Sequence, residues 1–323
     1  MNKTLLVAAL SALTAGTAFA QSSVTIYGRF NETAERITVN GVSTKQLVNN
    51  SSRIGFRGTE DLGGGLRAGF ALEHGFSPDT GTPSSSAFWS RQSEVNLGGA
   101  FGTLRAGRFT SEAYYATADY VSMHNHDTGD SSDALYAYIG RNTNKIAYRL
   151  PTVAKGLSAE VAVSAGEGAV GQGRTWDGAV NYQAGALALG AGYEKNGSAN
   201  QFAVRALYDL GSFAFGGYIQ RDKSGLNPTG NWGSRTNIRL AGAYILGASE
   251  FHLNIGKAGD YGNVKNSAGK QFTLGYNYNL ASAPRSTPTT PRPRITARTS
   301  TQVAPTARGA HSPSACATIS DRL

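Results

Sequence analysis

The sequence predicts an all-β fold, a transmembrane antiparallel β-barrel, on three observations. First, apolar and polar residues alternate. Phe272, Leu274, Tyr276 and Tyr278 interleave with Gln271, Thr273, Gly275 and Asn277, and Phe202, Val204, Ala206 and Tyr208 interleave with Gln201, Ala203, Arg205 and Leu207. Successive side chains of a strand point to opposite faces, so each segment has one apolar face and one that is mostly polar, small or charged. Second, such segments of about ten residues recur from Val24 to Leu280 with little helical periodicity between them, the pattern of strands with lipid outside and water inside. Third, connections alternate between tight Gly-rich turns and long polar stretches, the layout of bacterial barrels.

In chain order, the first element is a leader. Lys3 precedes a short apolar core, Leu5 to Leu13, and Ala18-Phe19-Ala20 fits the small-residue cleavage rule, so residues 1–20 read as a signal peptide and the mature chain as starting at Gln21. Residues 21–280 read as one barrel. Strands are expected at 24–35, 53–61, 66–76, 92–98, 103–108, 145–150, 157–165, 176–184, 187–194, 202–209, 213–221, 237–246, 251–257 and 271–279. Tight turns fall at 61–65, 98–102, 184–186 and 210–212; the long connections include 77–89, 166–175 and 222–235. The longest connection, about 109–140, carries Tyr114, Tyr115, Tyr120, Tyr136 and Tyr138 beside Asp119, Asp127, Asp130 and Asp133. Long loops in compact folds are functional or disordered, and these aromatics favour a loop ordered against the barrel interior. The only cysteine is Cys316, which excludes a disulfide framework and a Cys-based metal site.

The residues then resemble a known family. Ser23-Val24-Thr25-Ile26-Tyr27-Gly28, the run Ser52 to Leu66, Arg91-Gln92 and the run Phe101 to Arg108 resemble the general porins of Gram-negative bacteria, nearest to the β-proteobacterial branch. The resemblance covers about Ser23 to Asn279. It implies a sixteen-stranded homotrimeric barrel in the outer membrane, in contact with outer-membrane lipid, whose third loop folds inward to narrow a water-filled pore.

Residues 281–323 depart from that pattern. Six of the ten prolines and six arginines lie there, against one acid, Asp321, and no aromatic. Proline cannot donate to a ladder, so the segment is read as non-strand and disordered by composition. The alternatives are a Pro/Arg-rich extension and a shifted reading frame. The second is preferred: read one base earlier with permissive third bases, the two ends of the tail can encode a polar turn with a barrel strand and a closing aromatic strand. On that reading the last two strands of the barrel are lost. The tail supplies +5 of the formal +9 charge and Lys3 of the leader one more, leaving +3 on the mature barrel, so the basic pI is not evidence of nucleic-acid binding.

Strand phase gives a basic inner face. Arg53, Arg57 and Thr59 lie opposite Ile54 and Phe56; Arg141, Lys145 and Arg149 lie opposite Ile146, Tyr148 and Leu150; Arg67, Arg205 and Arg239 also point inward. Outward charge near mid-membrane would cost about 2–4 kcal/mol, whereas inward charge meets water. The resemblance implies that Arg53, Arg108 and Arg141 belong to a basic cluster facing acids of the third loop, for which Asp127, Asp130 and Asp133 are the candidates. Arg108 shares parity with Leu104 and Ala106, so it needs a bulge or strand end to turn inward. A ring of Arg or Lys favours anions.

No catalytic residue, metal site or cofactor is expected. His124-Asn125-His126-Asp127 offers ligand-type side chains without a third spaced partner and reads as solvated loop. Gly63-Gly64-Gly65 lacks the Lys and helix of a phosphate loop, and no Gly-x-Ser-x-Gly elbow accompanies the scattered histidines. The favoured function is passive diffusion of small hydrophilic solutes with anion preference. The alternatives are a substrate-specific channel and a non-conducting structural or adhesive barrel. Inward residues that are often Gly, Ala, Ser or Asn favour an open lumen.

Overall fold

A computed structural model describes residues 23–39, 42–119, 121, 135–166, 173–223, 232–278 and 295–303. Residues 1–20, expected to be a signal peptide, lie outside the described residues. Among the described residues, eighteen strands and one helix follow in order. They are β1 (Ser23–Arg29), β2 (Glu32–Val39), β3 (Val42–Asn49), β4 (Arg53–Gly63), β5 (Leu66–Ser77), β6 (Thr82–Pro83), β7 (Gln92–Gly99) and β8 (Gly102–Arg108). Then come α1 (Glu112–Thr117), β9 (Lys145–Arg149), β10 (Leu157–Ser164), β11 (Thr175–Ala184), β12 (Leu187–Asn196) and β13 (Ala199–Asp209). The last are β14 (Phe213–Lys223), β15 (Ser234–Leu246), β16 (Ser249–Ala258), β17 (Gly269–Tyr278) and β18 (Ile295–Val303).

The main sheet runs β1-β4-β5-β7-β8-β9 and on to β18 in sequence order, every pair antiparallel. Its two faces are inverted relative to a water-soluble protein. Val24, Ile26, Val95, Ile146, Ile219, Leu240 and Leu253 are exposed, while Glu160, Glu194, Gln201, Gln220 and Arg239 are covered. On β11–β17 the outer face is layered by depth. Trp176, Tyr193, Phe202 and Phe272 lie toward the long connections; Val180, Leu189, Val204, Ile219, Leu240 and Leu253 fill the middle; Tyr182, Tyr208, Phe213, Phe215 and Phe251 lie toward the short turns. Two aromatic girdles around an apolar band are what a membrane barrel presents to lipid.

The short turns are built by glycines, which take left-handed backbone at little cost. At 63–65 three glycines have φ of 81°, 59° and 80°, a left-handed run that costs an L side chain strain at each step.

Two expectations change, and the open seam is as the sequence reads. The strand expected at 24–35 is interrupted: β1 ends at Arg29, and β2 pairs with β3 in a separate two-stranded sheet. The break is fixed at Asn31, whose N–H donates to Ser52 Oγ at 2.8 Å and whose carbonyl accepts from Asn50 N at 2.9 Å. The segment expected to be without strand contains β18, paired antiparallel with β17 from Tyr278↔Ile295 to Lys270↔Val303. The physical reason is a proline-free window between Pro293 and Pro305, rich in β-branched Ile, Thr and Val. Finally, no ladder joins β1 to β18 among the described residues. The rest of 281–323 lies outside them.

Candidate functional site

The inner face is organised by the connection between β8 and β9, which enters the lumen. Ser111 caps α1, its hydroxyl accepting from Tyr114 N at 3.2 Å, and Glu112 sits in the first turn where the helix dipole favours an acid. Ala113 and Ala116 are fully buried against β12. Two glycines on its inward face allow that approach. A Cβ on Gly190 would collide with the Ala116 carbonyl oxygen, and one on Gly192 would lie 2.8 Å from Ala113 Cα.

Glu194, two residues further along the same face, fastens both ends of the loop. Its carboxylate accepts from Ser111 Oγ at the start, and from Ile139 N and Gly140 N, each at 3.2 Å, at the end. Further along the wall, Gln220 accepts from Ala137 N at 2.8 Å and donates to Ala137 O at 3.0 Å, and Arg235 donates to Leu135 O at 3.1 Å. Tyr136 packs edge-on against Tyr114 and Tyr218, with centroids 5.8 and 5.5 Å apart, and its hydroxyl meets Thr117 and Gln201. Burial and the Glu194 charge push the Tyr136 and Tyr138 hydroxyls well above the usual phenol range, so both stay neutral.

Charges line the first arc of the wall as ion pairs. Arg105 bridges Glu94 (2.7 Å) and Glu160 (2.9 Å); Arg149 bridges Glu160 (2.9 Å) and Glu112 (2.6 Å). Arg91 and Arg53 meet Glu73 at 2.5 and 3.6 Å. The two signs are not equally accessible. The Arg149 side chain is 42% exposed against 1% for Glu160, and Arg91 34% against 12% for Glu73. Burial pushes the Glu112 carboxyl above the ordinary glutamate range, opposed by the adjacent Arg149.

The sequence-predicted residues fall as follows. Arg53 faces the lumen beside Glu73. Arg57 lies over the Tyr27 ring, 5.3 Å from its centroid. Arg141 donates from Nη1 to Ala165 O at 3.0 Å, close to the mouth. Arg108 closes β8, and its Nε donates to Ser90 O at 2.5 Å, so it is tied to the neighbouring connection. Lys145 is not in contact with lumen water: it is fully covered, 2.8 Å from Asp177 and beneath Phe109. Asp127, Asp130 and Asp133, with His124 and His126, lie outside the described residues.

Arg91 and Glu112 were missed as site residues. Both sit in connections, where strand parity says nothing. The signal that could have found Glu112 is the capping pair Ser111-Glu112 followed by Ala113 and Ala116, opposite Gly190 and Gly192.

Comparison with known proteins places this geometry. The Gram-negative porin family profile matches residues 6–285. Outer membrane porin protein 32 of Delftia acidovorans is 31% identical, covering 87% of this chain and 86% of that protein. The anion-selective porin from Comamonas acidovorans superposes with a TM-score of 0.70 at 23% identity, covering 94% of this chain and all of that one. OmpT of Vibrio cholerae, in its trimer form, gives 0.61 at 15% identity over 93% and 96% of the two chains.

Proposed function

We propose, on the premise that this chain belongs to the Gram-negative porin family, that its lumen conducts small hydrophilic solutes passively and prefers anions. The family and the 31% identical relative make it an outer-membrane porin. The preference rests on one observation. Along the first arc, each resolved inner-wall ion pair that reaches water exposes its cation more than its acid. A solute in the lumen therefore meets guanidinium groups before carboxylates. A ring biased in this way favours anions.

Arg53, Arg57, Arg91, Arg141 and Arg149 would carry that field. Asp127, Asp130 and Asp133 on the third loop would face them and set the transverse gradient. A homotrimer is the assembly we assign, following the trimer named for the Vibrio cholerae structure. No reaction is assigned to the lumen. The substrate-specific alternative is less supported for sugars, which stack on aromatic rings: the lumenal tyrosines Tyr136 and Tyr218 are buried edge-to-face in the loop anchor, rather than laid out as a stacking track.

The experiment is a reversal potential across a planar bilayer under a salt gradient. Replacing Arg53, Arg141 and Arg149 together by Gln is expected to lower the anion-to-cation permeability ratio severalfold. A ratio equal to that of the unmodified chain would remove these residues from the selectivity of the pore.

A further inference from the structure

The connection between β16 and β17, residues 259–268, is tied into the wall by a tyrosine. Tyr261 is only 1% exposed. Its ring meets Trp232 edge-on, 5.4 Å between centroids, and the Arg235 guanidinium lies over it at 4.5 Å. A buried tyrosine hydroxyl needs a polar partner, and here it donates to Asp222 Oδ1 at 2.9 Å. The backbone around it is docked as well. Gly262 N donates to Ser234 O at 3.1 Å, Asn263 N to Trp232 O at 2.9 Å, and Tyr261 N to Ser267 Oγ at 2.8 Å. Gly233, at φ 79°, permits this approach, because a Cβ there would lie 3.2 Å from Gly262 Cα.

Asp222 passes the contact on to the loop that enters the lumen. Its Oδ2 accepts from Arg235 Nε at 3.3 Å and from Asn237 Nδ2 at 3.0 Å. Both partners continue inward. Arg235 Nη2 donates to Leu135 O at 3.1 Å. Asn237 Nδ2 also donates, at 2.7 Å, to Gln220 Oε1, the atom that accepts from Ala137 N. With Tyr261 on one oxygen and Arg235 and Asn237 on the other, the rotation of the carboxylate is fixed, and so is the aim of Arg235 at Leu135 O.

The Leu135 side chain is seated beside the same connection. A Cβ on Gly256 would lie 3.0 Å from Leu135 Cδ1, and one on Gly269 would lie 3.0 Å from its Cδ2. Gly256 is near the end of β16 and Gly269 opens β17, so these glycines flank residues 259–268. The start of the loop is fastened elsewhere: α1 is seated on β12, through Ser111 and Glu194.

We propose that Tyr261 is a positioning residue of the pore loop. Acting through Asp222, it holds the limb that starts at Leu135, so the outer connection 259–268 sets where that limb rests in the lumen. This rests on the porin reading only in treating residues 109–140 as the pore loop.

The test is amide hydrogen exchange, read by mass spectrometry on the full chain refolded in detergent. Tyr261→Phe keeps the ring against Trp232 and Arg235 and removes only the hydroxyl. Exchange over residues 135–138 should speed up about tenfold, the factor that a hydrogen bond to a charged group is worth. Exchange over 113–118, on the other limb, should stay as in the unmodified chain. Adding Arg235→Gln should give less than the product of the two single effects, since both act through Asp222. Unchanged exchange at 135–138, equal acceleration of both limbs, or factors that multiply would each overturn the proposal. If Tyr261→Phe does not refold, Ser267→Ala removes the acceptor of Tyr261 N and should speed the same limb alone; exchange that stays as in the unmodified chain overturns the proposal there too. Bilayer conductance separates this from the porin reading. A chain that conducts but whose 135–138 exchange ignores Tyr261→Phe loses the positioning role and keeps the pore; one whose exchange responds but which does not conduct does the reverse.

Discussion

The arc from β4 to β10 and the arc from β11 to β17 spend their cations in opposite directions. In the first arc Arg53, Arg57, Arg105, Lys145 and Arg149 point inward, and all but Arg57 are matched to wall or loop carboxylates. In the second, Lys195, Arg221, Lys257 and Lys270 point outward at the membrane edge; the inward Arg205 and Arg235 are bonded to loop carbonyls at Tyr115 and Leu135. The inner face of the second arc instead holds the loop, through Gly190, Gly192, Glu194 and Gln220. On the proposed function, one arc would shape the field in the lumen and the other would anchor the loop that narrows it, so selectivity and pore width would be set by different strands and could be altered separately.

The largest expected effect concerns the seam where the two arcs should meet. In an antiparallel meander of fifteen strands the first and last run in the same direction, so β1 and β18 cannot form an antiparallel seam without one more strand. An open edge in lipid leaves backbone groups unsatisfied at several kcal/mol each. Replacing residues 281–323 by two alternating strands joined by a polar turn, as the shifted reading frame would supply, should raise the folded, heat-modifiable fraction severalfold on gels of outer-membrane preparations. Equal folded fractions would show that closure does not depend on this segment.

The next effect breaks the anchor without touching the first arc. Glu194→Ala removes the acceptor for Ser111 Oγ, Ile139 N and Gly140 N. Two backbone donors left buried cost about 1–3 kcal/mol each, and the loop should loosen. Single-channel records should show higher and noisier conductance, while the anion-to-cation ratio changes less than in the arginine variant. A ratio that collapses with the conductance would mean the arcs are not separable.

Much of this was legible in the sequence, for a physical reason: parity is strict within a strand. It puts Arg53, Arg57, Arg149 and Arg239 on the face opposite the apolar outer residues, and the tyrosines at 114–138 favour a packed loop. Parity does not report what meets a side chain across the lumen. Lys145 reads like Arg149, yet only the fold brings Asp177 against it. The β2–β3 hairpin escaped because Val42–Asn49 interleaves its apolar residues with polar ones on both faces, and because alternation in 24–35 runs through the break at Asn31. β18 escaped because its proline-rich flanks dominate the composition of the tail.

The smallest predicted effect tests whether the two arcs communicate through α1. Glu112 is carried by the loop that the second arc anchors, but it pairs with Arg149 of the first arc at 2.6 Å and with Asn181 Nδ2 at 3.2 Å. Burial is the main cause of its raised pKa, so the folded carboxyl takes up a proton at a higher pH than a free glutamate does. The sign follows from linkage. The burial cost is fully present above the folded pKa and is relieved as the pH falls through it, so protonating Glu112 does not by that route unseat the helix. What is lost is the negative charge facing Arg149, whose side chain is already 42% exposed. Lowering the bath pH from neutral toward, but not into, the ordinary carboxylate range should therefore move the reversal potential modestly further toward anions. In Glu112→Gln the pH 7 value should already match the acid value of the unmodified chain, with no further step on that interval. A full acid step surviving in Glu112→Gln would assign the titration to another group and leave the two arcs electrostatically independent.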